Sequence, residues 1–187
     1  MRKMSTAAIT IGTLPRLSPK ALSDILLSHN TPSNLDATSP PLNLAIIDVR
    51  DDDHVGGHIK HSTHIPSSTL DHKIPELVRK LKEKDTVVFH CALSQQRGPS
   101  AALRYIRERE RILGAGVVGE ALRKNRGENL EKKADDDGEW EDIGEGPEKK
   151  EQKVYVLDRG FVGWQEIYGE DTRLTEGYRK EIWQHGY

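Results

Sequence analysis

The residue types best suited to covalent chemistry lie in one stretch, His90-Cys91-Ala92-Leu93-Ser94-Gln95-Gln96-Arg97-Gly98-Pro99-Ser100. Cys91 is the only cysteine among 187 residues, and five residues separate it from Arg97. A loop of that length can wrap a tetrahedral oxyanion with successive backbone N–H groups, closed by a guanidinium that grips two of the oxygens. The apolar run Thr86-Val87-Val88-Phe89 before it reads as a buried strand, and Gly98-Pro99-Ser100-Ala101-Ala102-Leu103 after it as a helix start with proline in its first position. Cys91 is therefore expected at a strand end and Arg97 at a helix mouth, the setting that favours a nucleophilic thiolate. Ser94 is placed to donate a hydrogen bond to the sulfur, and His90 and Asp48 are supporting candidates. The competing reading is a buried structural cysteine closing a core strand. It is disfavoured because strand, cysteine, arginine and helix start come in the order the chemistry requires.

The elements that must position this loop are legible on either side of it. Ser18 as N-cap, Pro19 in the first turn, and Leu22, Ile25 and Leu26 on one face predict a first helix, with Leu17 stapled against Leu22. His29 to Pro41 reads as a surface loop. Leu44 to Val49 is an apolar run suited to a parallel strand covered on both faces, with Asp48 and Arg50 at its end. His54, His58, His61 and His64 follow at metal-ligand spacing, but Gly56, Gly57 and Pro66 argue against a common face, and no metal is expected. Thr69 to Lys84 is an amphipathic helix, regular from about Ile74 because of Pro75. After the catalytic loop, Ala102, Leu103, Tyr105 and Ile106 give a third helix its core face. The final strand is Lys153 to Leu157, the turn residue Gly160, and the next helix Phe161 to Tyr168. Leu174, Tyr178, Ile182 and Trp183 form a partial helical stripe within Thr172 to Tyr187, read as a helix covering the sheet.

With 35% hydrophobic residues, the chain is predicted to form one domain over residues 17–187, preceded by an N-terminal segment, 1–16, that has no acidic residue and reads as an ordinary start. Residues 114–151 are expected to be a flexible acidic insertion. From Glu128 to Glu151 there are 11 acidic and 4 basic residues, a net of −7, which against the chain's −2 leaves +5 elsewhere. A basic body suits an anionic substrate, over a range screened to about 8–10 Å at physiological salt. No apolar run reaches the length of a membrane span, and neither membrane nor nucleic acid is expected among the partners. A single cysteine excludes an internal disulfide and fits a reducing compartment, cytoplasm or nucleus. The oligomeric state stays open.

The stretch from His90 to Ala102 resembles the active-site loop of the rhodanese-fold phosphatases: the cell-division-cycle dual-specificity phosphatases, their short fungal single-domain relatives, and the eukaryotic arsenate reductases of the same superfamily. Ile46-Ile47-Asp48-Val49-Arg50, then Gly57-His58-Ile59 and Ile65-Pro66, resembles the N-terminal rhodanese signature. Tyr155-Val156-Leu157-Asp158-Arg159-Gly160-Phe161 with Trp164 resembles the C-terminal one. The resemblance spans about Ser18 to Tyr168 and implies a three-layer α/β rhodanese-like domain, a central parallel sheet with helices on both faces.

It also implies an enzyme with Cys91 and Arg97 as catalytic residues and Ala92, Leu93, Ser94, Gln95, Gln96 and Arg97 as a phosphate-binding loop. Sulfur-transferring rhodaneses usually have a loop one residue shorter, so the interval from Cys91 to Arg97 favours phosphate or arsenate over persulfide chemistry. The expected activity is hydrolysis of phosphate monoesters, with protein tyrosine phosphate or a small phosphate as substrate, through a phosphocysteine and without a cofactor. Arsenate reduction is the alternative, and with one cysteine it needs glutathione or glutaredoxin as external reductant. A sulfurtransferase or a non-catalytic oxyanion-binding module are the lesser readings. Where cell-division-cycle phosphatases carry acidic residues, this loop has Ala92, Leu93, Gln95 and Gln96. Asp48 and Asp158 are the substitutes at strand ends, and turnover is expected to be slow.

Overall fold

The computed structural model describes residues 9–28, 41, 43–114 and 152–184. In chain order it contains β1 (Arg16–Leu17), α1 (Pro19–Ser28), β2 (Leu44–Asp48), β3 (His58–Ile59), β4 (Ser62–His64), α2 (Leu70–Lys80), β5 (Thr86–His90), α3 (Arg97–Arg109), β6 (Lys153–Leu157), α4 (Gly160–Tyr168), β7 (Thr175–Glu176) and α5 (Lys180–Trp183). A π-helical turn, Glu110–Gly114, extends α3. Five strands form a parallel sheet in the order β1-β6-β5-β2-β4, and β3 pairs antiparallel with β7 in a separate ribbon. Among the described residues no helix is long and apolar enough to cross a membrane.

Strand periodicity divides the core. Val87 and Phe89 of β5 and Ile47 of β2 point to one face, where they meet Leu70, Ile74, Leu77 and Val78 of α2 and Ala101, Ala102 and Tyr105 of α3. Val88 and Ile46 point to the other, against Leu22 and Leu26 of α1 and Phe161 and Trp164 of α4. Alternate residues therefore feed two cores, and the continuous apolar runs of β2 and β5 are those of strands covered on both sides. The expected cap of α1 is present, with the Ala21 N–H donating to Ser18 Oγ at 3.1 Å. Leu17 packs in the same cluster as Leu22, as a staple requires.

Four boundaries differ from the sequence reading. Leu14 is buried in the core and Arg16–Leu17 pair with Val156 and Leu157, so the packed domain begins before residue 17. Helix α2 starts at Leu70 and runs through Pro75. Burial of Leu70 together with Ile74, Leu77 and Val78 outweighs the one intrahelical hydrogen bond that proline forfeits. Helix α3 begins at Arg97, which puts Pro99 in the first turn, where N–H groups lack intrahelical acceptors in any case. The stretch after Thr172 is no continuous helix. Leu174 is fully buried, β7 follows, Gly177 turns with φ +64°, and only Lys180–Trp183 is helical. The expected insertion at 114–151 lies, after Gly114, outside the described residues.

Candidate active site

β5 sits in the sheet's interior, between β6 and β2, and ends at His90, which places Cys91 at the carboxyl edge of the sheet where α/β domains gather their sites. Two backbone contacts fix the start of the loop. The Phe161 N–H donates to the Cys91 carbonyl and the Val162 N–H to the Ala92 carbonyl, each at 2.9 Å. This close approach of α4 depends on Gly160, whose φ is +57° and where a Cβ would lie 2.4 Å from the Ala92 oxygen and 2.5 Å from that of Cys91. At the other end the Ser100 N–H donates to the Gln96 carbonyl at 2.9 Å, seating Arg97 in the first turn of α3.

Within that frame Cys91 is 3% exposed and accepts a hydrogen bond from the Ser94 backbone N–H at 3.2 Å. Ser94 does approach the sulfur, but through its main chain. Its φ of +53° turns the peptide inward, while its hydroxyl is buried without a partner among the described residues. None of the N–H groups of Ala92, Leu93, Gln95 and Gln96 donates to another described group. Above the thiol opens a cavity of about 330 Å³ lined by Cys91, Ala92, Leu93, Gln95, Gln96 and Arg97. The structure thus brings together five of the six residues assigned to the loop, with Ser94 forming its buried floor.

Arg97 is differently engaged from the sequence expectation. Nη1 donates to Asp51 Oδ2 at 3.1 Å and Asp53 Oδ1 at 2.7 Å, and Nη2 donates to Asp53 Oδ2 at 2.6 Å. The hydrogen bond that Arg97 donates to Asp53, opposed by burial and joined by that to Asp51, raises the guanidinium pKa above its ordinary value. Burial pushes the Asp51 carboxyl up, but bonds from Ser67, Ser68 and Arg97 together hold it below the usual carboxylate range. Sequence reasoning missed both aspartates. The signal was present, since Asp51-Asp52-Asp53 directly follows the end of a parallel strand beside the loop.

Asp48 and His90, the supporting candidates, are fully buried behind the loop. Asp48 accepts from Arg50 Nε at 2.9 Å and Nη2 at 2.7 Å, and Arg50, itself buried, also donates to the Gly57 carbonyl and lies 4.2 Å over the Phe161 ring. Burial raises the Asp48 pKa, yet His90 and Arg50 outweigh it and hold the carboxyl below its ordinary range. An ionised, inaccessible carboxylate does not protonate a leaving group, so Asp48 is corrected from proton-donor candidate to structural ion pair. Burial pushes the His90 pKa down, with Asp48 opposing the shift, and its Nδ1 lies 3.4 Å from the Cys91 carbonyl. Asp158 is half exposed and pairs with Arg16 at 3.5 Å.

The histidines divide three to one. His54 stacks on His64 at 3.8 Å and on His58 at 5.8 Å, whereas His61 stands apart in a turn with φ +63°. Two ring nitrogens are used locally, His64 Nε2 with the Arg50 carbonyl and His58 Nε2 with Glu176, whereas His54 Nε2 lies 3.4 Å from Asp48 and is buried without a hydrogen bond among the described residues. Among the described residues no cluster of three or more His, Cys, Asp or Glu is arranged to hold a metal ion.

Sheet order and a lone thiol at the base of a strand-to-helix loop define a rhodanese-type α/β domain built around one cysteine. The chain belongs to the family described as the rhodanese-like domain, whose profile matches residues 31–167. It is similar to the Arabidopsis thaliana protein named dual specificity phosphatase Cdc25, 37% identical over 124 residues that cover 66% of this chain and 62% of that protein. Arsenate reductase 2.2 of Oryza sativa is 32% identical over 123 residues, covering 65% of this chain and 69% of its own length. Among solved structures, Ygr203w, described as a yeast protein tyrosine phosphatase of the rhodanese family, superposes with a TM-score of 0.60 at 28% identity, over 95% of this chain and 100% of its own.

Proposed function

We propose that this protein is a cysteine-dependent phosphatase acting on phosphate monoesters, with protein tyrosine phosphate as the substrate class. The observation that carries this reading is the Ser94 N–H aimed at Cys91 Sγ, at 3.2 Å, beneath an open cavity ringed by the loop. In the reaction the Cys91 sulfur attacks phosphorus in line, forming an S–P bond as the P–O bond to the leaving group breaks. The loop N–H groups and Arg97 carry the charge on the equatorial oxygens, and water then cleaves the phosphocysteine to release phosphate. With Asp48 buried against Arg50, Asp51 and Asp53 engaged by Arg97, and Asp158 paired with Arg16, each of these carboxylates among the described residues is held by an arginine rather than standing ready to protonate the leaving group. A general acid contributes about 10²–10⁴-fold, so turnover is slow and aryl phosphates, whose phenolate leaving groups depend on protonation less than alkoxides do, react best. The similarity to proteins named as phosphatases supports the reading.

A second reading, arsenate reduction, draws on the similarity to the rice protein and on the acid-free loop, which suits an adduct resolved by thiol rather than by protonation. In it the Cys91 thiolate binds arsenate with loss of water, and an external thiol of the glutathione class supplies the electrons, because the chain has no second cysteine. Either reaction needs Cys91 reduced, which supports a cytoplasmic or nuclear location. The test is a paired assay of the protein and its Cys91→Ser variant: nitrophenol release from p-nitrophenyl phosphate, and arsenite formation from arsenate with glutathione and glutaredoxin. Cysteine-dependent nitrophenol release without arsenite is the expected result. Arsenite without nitrophenol makes the protein a reductase, and silence in both leaves sulfur transfer or oxyanion binding.

A further inference from the structure

Arg16 lies 78 positions before Ser94 of the candidate catalytic loop, in the segment that sequence reasoning set outside the domain, yet its guanidinium reaches that loop. Nη1 and Nη2 both donate to the carbonyl oxygen of Ser94, each at 3.3 Å. That carbonyl belongs to the residue whose N–H is directed at Cys91 Sγ. Ser94 has φ +53°, a left-handed conformation that is strained for a non-glycine residue and is kept only where its surroundings impose it. Its hydroxyl contributes no hydrogen bond among the described residues, so of the polar contacts described at Ser94, Arg16 supplies the one that comes from outside the loop.

The anchor is itself held. Arg16 is in β1, paired with Val156 of β6, and on either side of it the Val156 N–H donates to Pro15 and the Asp158 N–H to Leu17. Leu14 is buried in the core. The side chain is aligned by Asp158, 3.5 Å away, and remains 44% exposed, on the wall of a small recess beside the active-site mouth that also includes Leu93, Gln95 and Arg159.

We propose that Arg16 is a positioning residue for the nucleophile: by gripping the Ser94 carbonyl it holds the Ser94 N–H on the Cys91 sulfur and so sustains the thiolate. The role rests on Cys91 being the nucleophile but on neither substrate, and it is tested without turnover. The readout is the rate of Cys91 alkylation by iodoacetamide as a function of pH, measured on the whole protein. Arg16→Ala should slow alkylation at pH 7 by about three- to tenfold, the size of one hydrogen bond, and move the pH–rate profile to higher pH. Arg16→Lys, which keeps the charge and loses the two-pronged grip, should recover only part of the rate. Thermal melting of both variants shows that the fold is intact. An unchanged alkylation profile in Arg16→Ala overturns the proposal. Full recovery in Arg16→Lys overturns it as well, because charge alone would then explain the effect. Failure of the phosphatase reading would instead appear as absent nitrophenol release with these alkylation results intact.

Discussion

Replacing Asp53 by asparagine tests how Arg97 is shared between the protein and an incoming oxyanion. The Arg97–Asp53 pair is bidentate, 2.6 and 2.7 Å, with side-chain exposures of 31% and 24%. Exposed ion pairs contribute about 0.2–1 kcal/mol net. Two parallel charge-assisted bonds on groups about three-quarters buried place this pair at or slightly above that range, at about 1–1.5 kcal/mol. An anion that takes Arg97 must displace this contact and also approach the Asp53 charge, and Asn removes both penalties. Phosphate should therefore bind Asp53→Asn about five- to twelvefold more tightly. Isothermal titration with inorganic phosphate, in a Cys91→Ser background that blocks covalent chemistry, measures it directly. Unchanged or weaker binding would refute the reasoning and show that the aspartate prepares Arg97 for the anion rather than competing with it. A separate kinetic readout applies with Cys91 intact: a fall of 10²–10⁴-fold in kcat would make Asp53 the proton donor.

Asp48→Asn leaves the Arg50 charge buried without its carboxylate and should destabilise the fold by about 3–5 kcal/mol, seen as a loss of more than about 6 °C in Tm; a change under about 2 °C would mean that Phe161 and the Gly57 carbonyl suffice to hold Arg50. Gly160→Ala forces a Cβ against the Ala92 and Cys91 carbonyls at a positive φ. It should abolish turnover even at temperatures where circular dichroism shows a folded protein, and retained kcat would show that α4 does not set the loop. Burial lowers the His54 pKa from 6.5 to about 4, with Asp48 opposing the shift, so the unfolded chain takes up this proton first. The resulting stability is fully present above pH 6.5 and is lost progressively toward pH 4, which urea denaturation midpoints across that range should show. His54→Gln should flatten the slope, and an unaltered slope would assign it to other groups.

Much of the site was readable before any fold was known because its information is local. Cys91, five loop residues and Arg97, set between the strand-forming Thr86 to Phe89 and the helix begun by Gly98 and Pro99, are contiguous, and chain order alone dictates a thiol at a strand end beside a helix N-terminus. Three of the five strands of the parallel sheet, β2, β5 and β6, were equally legible, since burial on both faces demands continuous apolar runs; β1 and β4, two and three residues long and largely uncovered, leave no such run. Helix starts were less so. Pro75 and Pro99 look like boundaries from propensity, but the buried faces of α2 and α3 extend each helix upstream of its proline.

What only the tertiary structure decided is what the loop's groups touch. Arg16, Asp51 and Asp53 meet Ser94 and Arg97 across sequence separations of 78, 46 and 44 residues. Such contacts follow from strand order and from the turn after β2, neither of which leaves a local pattern. Asp48 shows the same limit from the other side. A carboxylate at a strand end reads as chemistry, and only the packing of Arg50 and His90 around it makes it a buried ion pair. Side-chain type and spacing select the nucleophile, because reactivity belongs to the residue and its backbone setting. Charge, access and orientation are properties of neighbours, and three-dimensional packing chooses those.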